Sequence, residues 1–167
     1  MRRVLAVLGV GILLGGGAAA QGPGADAALG ATLGKVYGQW REAMVRRDLV
    51  RWQEVTARSR QIELRNRIFS ERRTLAQALF GLPAAPPDLQ RLKYLGVRSR
   101  GPTAKAFYFG KVDFGVGGAP SDNLLVLAFQ QEGGRWKYDT ADFVNLSVLQ
   151  DVRRQIAAGD LSHLDRP

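Results

Sequence analysis

NLLVLAFQQEGGRWKYDTADF, residues 123–143, is the stretch on which the fold turns. It consists of an apolar run, Asn123–Gln131, then Gly133-Gly134, then Arg135–Phe143. Two adjacent glycines can both adopt positive φ, which a two-residue primed hairpin turn demands at both central positions. The sequence therefore predicts two antiparallel neighbouring strands over Asn123–Gln131 and Arg135–Phe143. Working backwards, Leu92–Arg98 and Ala104–Val112 carry the same strand-like composition, separated by Arg100-Gly101-Pro102 and followed by the loop Gly115–Asp122. Four strands in a meander follow from these punctuation marks.

Upstream the period changes from two to nearly four. Leu33, Val36, Tyr37, Trp40, Ala43 and Met44 form one apolar stripe, with Lys35, Arg41, Glu42 and Arg46 off it, so order is expected to begin near Leu33 with an amphipathic helix. Asp48 can cap a second helix with the inner stripe Leu49, Trp52, Val55/Thr56, Ser59, Ile62 and Phe69. Ser70 and Glu71 suggest a cap for a third, Glu71–Phe80, stopped by Gly81 and Pro83. The proline-rich segment Pro83–Asp88 divides the helical half from the strand half. Downstream, Ser147 caps a closing helix whose inner stripe is Leu149, Val152 and Ile156 and whose end is Gly159. Helices followed by a strand meander make an α+β domain, in which the N-terminal helices pack on a curved antiparallel sheet and an extra helix closes the chain.

The two ends of the 167-residue chain lie outside this domain, which is expected to span residues 33–160. Met1, Arg2 and Arg3 precede the apolar run Val4–Leu14 and the small residues Gly15–Ala20, the pattern of an export signal (residues 1–20) cleaved after Ala20. The expected location is the periplasm or the extracellular space. An uncleaved membrane anchor is the alternative, because Val4–Ala20 carries no charge. Gly9, Gly11, Gly15, Gly16 and Gly17 weaken such a spanning helix. Gln21–Thr32, rich in Gly and Ala, reads as a flexible leader, and Leu161–Pro167 as a tail. The chain has no cysteine, which excludes disulfides, thiol catalysis, Cys-ligated metals and a lipid-modified cysteine. The formal net charge is +9, and outside the cell its anionic partners are head groups, acidic glycans or wall polymers rather than nucleic acid.

Specific residues carry a family likeness. Trp40-Arg-Glu-Ala43 followed by Arg47-Asp48-Leu49 and Trp52 resembles the opening helices of the nuclear transport factor two superfamily, which includes ketosteroid isomerase and polyketide cyclases. Thr103-Ala104-Lys105-Ala106 with Phe107-Tyr108, then Leu124–Phe129, Glu132-Gly133-Gly134, Arg135-Trp136-Lys137 and Asp139 resemble that fold's curved sheet. The likeness spans roughly Leu33–Phe143. It implies a cone-shaped domain that hosts isomerases, cyclases, dehydratases and members without activity, and that often dimerises through its outer sheet face. The closing helix and the long arginine-rich second helix depart from the family pattern, and either can fill or cover the cone.

Three constellations bear on function. By the two-residue period, Trp136, Tyr138, Thr140 and Asp142 share one strand face, opposite Lys137, Asp139, Ala141 and Phe143. With that first face turned into the cone, Asp142 is a candidate base and Tyr138 or Tyr108 a candidate donor, as the ketosteroid isomerase likeness implies; ordinary packing residues and a solvated strand end are the alternative. Trp40, Trp52, Tyr108, Trp136 and Tyr138 are candidate ligand-binding residues, with core packing as their alternative. Arg51, Arg58, Arg65 and Arg72 recur every seven residues and on one continuous helix would line an edge for an anionic polymer. Glu54 before Arg58 and Glu63 before Arg67 equally describe an ordinary solvated face. The glycines of residues 115–118 lack the Lys-Ser/Thr end and the following helix of a phosphate loop. The single histidine, His163, sits in the tail, so neither a His triad nor a metal site is expected, and no cofactor.

The sequence expectation is thus a non-catalytic binding or structural module of the cell envelope, its partner a small apolar ligand or an envelope protein. The alternatives are a cofactor-free isomerase, cyclase or dehydratase, and a binder of acidic polymer. An open apolar pocket holding a desolvated carboxylate favours the enzyme, and a cone plugged by aromatic side chains favours the module.

Overall fold

The computed structural model describes residues 23–80, 85–114, 119–146 and 149–160. Helices α1 (Pro23–Arg46), α2 (Leu49–Val55), α3 (Arg58–Glu71) and α4 (Leu75–Phe80) precede a 3-10 turn, Leu89–Arg91. Strands β1 (Lys93–Arg100), β2 (Thr103–Val112), β3 (Ser121–Glu132) and β4 (Arg135–Asn145) follow, and α5 (Gln150–Ala158) closes the chain. All strand pairs are antiparallel and the sheet order is β1-β2-β3-β4. The α+β class, the helices on a curved four-stranded sheet and the C-terminal helix agree with the sequence expectation. The export signal, Gly81 and Pro83, the glycines of residues 115–118, Ser147 and the tail with His163 lie outside the described residues.

The Gly133-Gly134 turn has φ of 56° and 76°, the pair of positive values a primed turn needs. Two bulges then decide which side chains face the helices. In β1 the register slips between Tyr94 and Gly96, and in β4 Thr140 pairs with Ala128 while Tyr138 pairs with Phe129, so Asp139 is the inserted residue. An inserted residue reverses the alternation beyond it. Trp136 and Tyr138 face α1, but beyond the bulge it is Ala141 and Phe143, opposite Leu127 and Leu125, that continue this face. The expected common face for Trp136, Tyr138, Thr140 and Asp142 is therefore corrected.

Helix α1 lies across the inner face. Leu33 and Tyr37 pack with Val97, Ala104, Ala106, Tyr108, Leu125, Leu127, Phe129 and Tyr138. Gly30 and Gly34, one turn apart, admit two phenols: a Cβ on Gly30 would lie 2.0 Å from the Tyr94 hydroxyl, and one on Gly34 would lie 3.3 Å from that of Tyr108. On the outer face Phe107 and Leu124 pack with Leu146 and Ile156, so α5 covers the back of the sheet and not its inner, helix-facing side. Val152 joins this contact, whereas Leu149 is 46% exposed and lies outside the inner stripe expected for it.

Three helix boundaries differ from expectation. α1 starts at Pro23, inside the expected leader; proline at the first helical position and alanine through the first turns favour it. The expected single second helix is two helices, because at Thr56 and Ala57 the backbone turns away to meet β4. The Ala57 N–H donates to the Tyr138 carbonyl (2.7 Å), and Gln61 Nε2 donates to the carbonyls of Gln53 and Thr56 (both 2.8 Å), satisfying the end of α2. The break resets the helical phase, so Leu64 is buried while Ile62 and Phe69, expected inside, are 47% and 88% exposed. α3 continues through Ser70 and ends at Arg72 in the left-handed conformation. Thr74 and Gln77 then form a reciprocal capping box for α4, in place of the expected Ser70 cap.

Candidate functional site

The site begins with an aromatic cluster centred on Tyr138 in β4. Its ring centroid lies 4.1 Å from Trp40, 5.7 Å from Tyr37 and 6.0 Å from Phe129. Trp40 and Tyr37 come from one turn of α1, which the sheet holds in place through Leu33. The same turn fixes the segment that follows α4. The Tyr37 hydroxyl donates to the Pro87 carbonyl (3.0 Å), and Arg41 Nε donates to that of Pro86 (2.8 Å). Since proline lacks an N–H, this segment is held through its carbonyl groups.

The wall opposite α1 is α3, held at its N-terminus by the β3–β4 hairpin. The N-cap residue, Ala57, has no side chain able to accept, and the first turn of α3 contains no acid. Glu132 supplies the cap from β3, its Oε1 accepting from the Arg58 N–H at 2.8 Å. Asp139, at the bulge, accepts from Ser59 Oγ at 3.0 Å and from Gln130 Nε2 at 2.9 Å. Two carboxylates thus sit where the unsatisfied N–H groups of α3 and the positive end of its dipole favour negative charge. The Lys137 ammonium reaches back to the Glu54 carbonyl at the end of α2.

Between these walls lies a pocket of about 520 Å³. Its depth is apolar: Trp40 and Met44 from α1, Trp52 from α2, Leu64 from α3, Leu79 from α4 and Ala141 from β4. Tyr138 adds a hydroxyl-bearing residue, and Thr140, Pro86, Pro87 and Phe114 form further wall. Two cations line it, Arg60 and Arg67, which flank Leu64 on the pocket face of α3. Arg60 Nη1 contacts Glu63 at 2.6 Å, and Arg67 Nε lies 3.4 Å from Glu71. Among the described lining residues the one carboxylate is the exposed Asp113, beyond the end of β2.

Burial pushes the Tyr138 phenol well above the usual tyrosine range; Arg60 draws it partly back, and Asp139 and Asp142 push it further up. Tyr37 is likewise raised, chiefly by burial. Both remain neutral hydrogen-bonding groups at physiological pH. The pocket can therefore enclose an apolar body and offer neutral donors and guanidinium groups to a polar end.

The sequence-predicted residues divide sharply. Trp40, Trp52 and Tyr138 meet in the pocket. Tyr108 is buried on the inner face of the sheet beside Gly34 and Tyr94, and Trp136 packs at the edge of the main core, neither among the lining residues. Asp142 pairs with Val126, which packs on the outer face, so its carboxylate lies on the opposite side of the sheet from the pocket. Arg51 belongs to α2 and pairs with Glu54 (2.7 Å), whereas Arg58 and Arg65 belong to α3, so the expected unbroken arginine edge is interrupted at Thr56-Ala57. Arg60 and Arg67 were hidden among these arginines. The signal that finds them is their i and i+7 spacing about Leu64, once α3 is started at Arg58.

Among the described residues no group of three or more His, Cys, Asp or Glu side chains is placed to hold a metal ion, and no helix is long and apolar enough to cross a membrane. Comparison of the chain with family models, curated proteins and solved structures finds no match.

Proposed function

We propose that the chain is an exported, non-catalytic binding module of the cell envelope, similar to the nuclear transport factor two cone, that takes a small apolar ligand between α1, α3 and β4. The observation that carries this reading is the pocket itself: about 520 Å³, apolar in its depth, with Trp40, Trp52 and Tyr138 together in its lining. Ligand pockets of ~300–1,000 Å³ with apolar walls and a few polar groups have this composition. Placement of Asp142 across the sheet weighs against the isomerase alternative, because a general base must come within about 3 Å of the proton it removes. The Met1–Ala20 pattern supports export.

The test uses the domain from Gln21 and a neutral apolar fluorophore, N-phenyl-1-naphthylamine. One saturable site per chain, with energy transfer from tryptophan, is the expected result. Leu64→Trp, which fills the pocket, abolishes it while the far-ultraviolet circular dichroism is retained. Absence of saturable binding by a folded protein overturns the reading. Export is checked separately by fractionating cells that express the full chain and sequencing the mature N-terminus, expected at Gln21.

A further inference from the structure

Arg60 and Arg67 require an explanation beyond solubility. An arginine on an exposed helix face is commonplace, but these two lie against the pocket and flank the buried Leu64. Arg60 is less exposed than the glutamate it pairs with, 32% against 63% for the side chains, so the pair is built with its cation inward and its anion outward. Glu63 engages one nitrogen, Nη1, of a guanidinium that carries five N–H donors. Tyr138, a phenol held neutral, lies within electrostatic reach of Arg60. A guanidinium beside a low-polarity cavity binds a carboxylate more strongly than one in bulk water, because the local dielectric is lower.

We propose that the ligand is an acid-headed amphiphile, an alkyl carboxylate whose head group docks on Arg60 with Arg67 adding a second positive charge, and whose chain lies along the apolar lining that includes Trp40, Met44 and Leu64. This rests on the reading of the pocket as an apolar-ligand site and names the class of ligand. The seven-residue spacing separates the two Cα atoms by about 10 Å along the helix, so one carboxylate forms its direct hydrogen bonds with a single arginine. Arg60, the less exposed of the two at 32% against 56% for the side chains, is that residue, and Arg67 acts through charge. The anion also offsets part of the formal charge of the mature chain, +7 once Arg2 and Arg3 leave the +9 total with the export signal.

The experiment titrates tryptophan fluorescence with dodecanoate, dodecanol and dodecyltrimethylammonium, each below its micelle-forming concentration. Dodecanoate is expected to bind at least about tenfold more tightly than dodecanol, the factor a charge-assisted hydrogen bond supplies. Arg60→Gln is expected to remove that preference, so that dodecanoate and dodecanol bind this variant with affinities within about twofold of one another. Arg67→Gln should reduce it by about threefold, as expected of a screened charge. Arg65→Gln, on α3 but not among the pocket-lining residues, should leave it intact and control for net charge. Equal binding of dodecanoate and dodecanol overturns the inference while the apolar-ligand reading stands. Failure of all three to bind, with the neutral fluorophore also excluded, overturns both. Loss of preference in Arg65→Gln equal to that in Arg60→Gln reduces the effect to general charge and also overturns it.

Discussion

Removing the carboxylate of Glu132 is the sharpest test of how the pocket wall is held. Glu132 lies at the end of β3, yet it caps a helix that starts 74 residues earlier in the chain, accepting from the Arg58 N–H at 2.8 Å. α3 has no side-chain cap of its own, so nothing local replaces it. Loss of a helix N-cap costs ~1 kcal/mol, and loss of a negative charge at a helix N-terminus a further ~0.3–1 kcal/mol. Glu132→Ala should therefore destabilise the domain by about 1.5 kcal/mol, or about 3–6 °C in melting temperature for a domain of this size. Glu132→Gln keeps an acceptor and removes the charge, so it should lose less than half as much. In 1 M salt, where the screening length falls to about 3 Å, it should approach the parent protein. Thermal melts followed by far-ultraviolet circular dichroism in low and high salt separate the two contributions. A Glu132→Ala protein melting within 1 °C of the parent would refute the capping argument.

Other consequences follow from single observations. The Thr56 hydroxyl is buried without a hydrogen-bond partner among the described residues, so the nearly isosteric Thr56→Val should raise stability by about 1 kcal/mol in urea denaturation; a loss above 0.5 kcal/mol contradicts the reasoning. Burial raises Tyr37, Tyr108 and Tyr138, with Tyr108 pushed up to about 12, so folding favours their neutral forms. Their stabilising effect is complete below about pH 10 and is lost as pH rises through the folded values. Each should contribute a decline of ~1.4 kcal/mol per pH unit between the two values, and Tyr108→Phe should show a shallower alkaline decline than the parent; parallel curves would rule this out. Asp142→Asn should leave the affinity for the naphthyl fluorophore within twofold of the parent, because the carboxylate lies across the sheet. A tenfold change would place it in the pocket.

The elements that were legible in the sequence owe their positions to local chemistry. Gly133-Gly134 announces its hairpin because few other residue pairs tolerate two consecutive positive φ values, and the register of β3 and β4 near the turn follows from it. Asp48 announces α2 in the same way, accepting from the Arg51 N–H at 2.9 Å. What was illegible has its cause elsewhere in the chain. Thr56-Ala57 contains no glycine or proline, and the helix breaks there because a strand carbonyl more than 80 residues later captures the Ala57 N–H. That break sets the phase of α3, so a periodicity carried straight from α2 puts Phe69 inside and hides Arg60 and Arg67. Asp139 is an unremarkable strand residue by pattern; its bulge is stabilised by Ser59 and Gln130, which the two-residue period does not register. The early start of α1 was masked by composition, since the glycines that suggest a flexible leader include Gly30, whose missing side chain makes room for Tyr94.

The extra residue in β4 also has an evolutionary meaning. The bulge absorbs Asp139 without disturbing the pairing beyond it: with that codon lost, Thr140 would still face Ala128, Ala141 would face Leu127 and Phe143 would face Leu125. What such a loss would remove is the carboxylate that accepts from Ser59 and Gln130, one of the two acids at the head of α3. An insertion of this kind lets a strand gain an anchor for a distant helix while every ladder partner keeps its place.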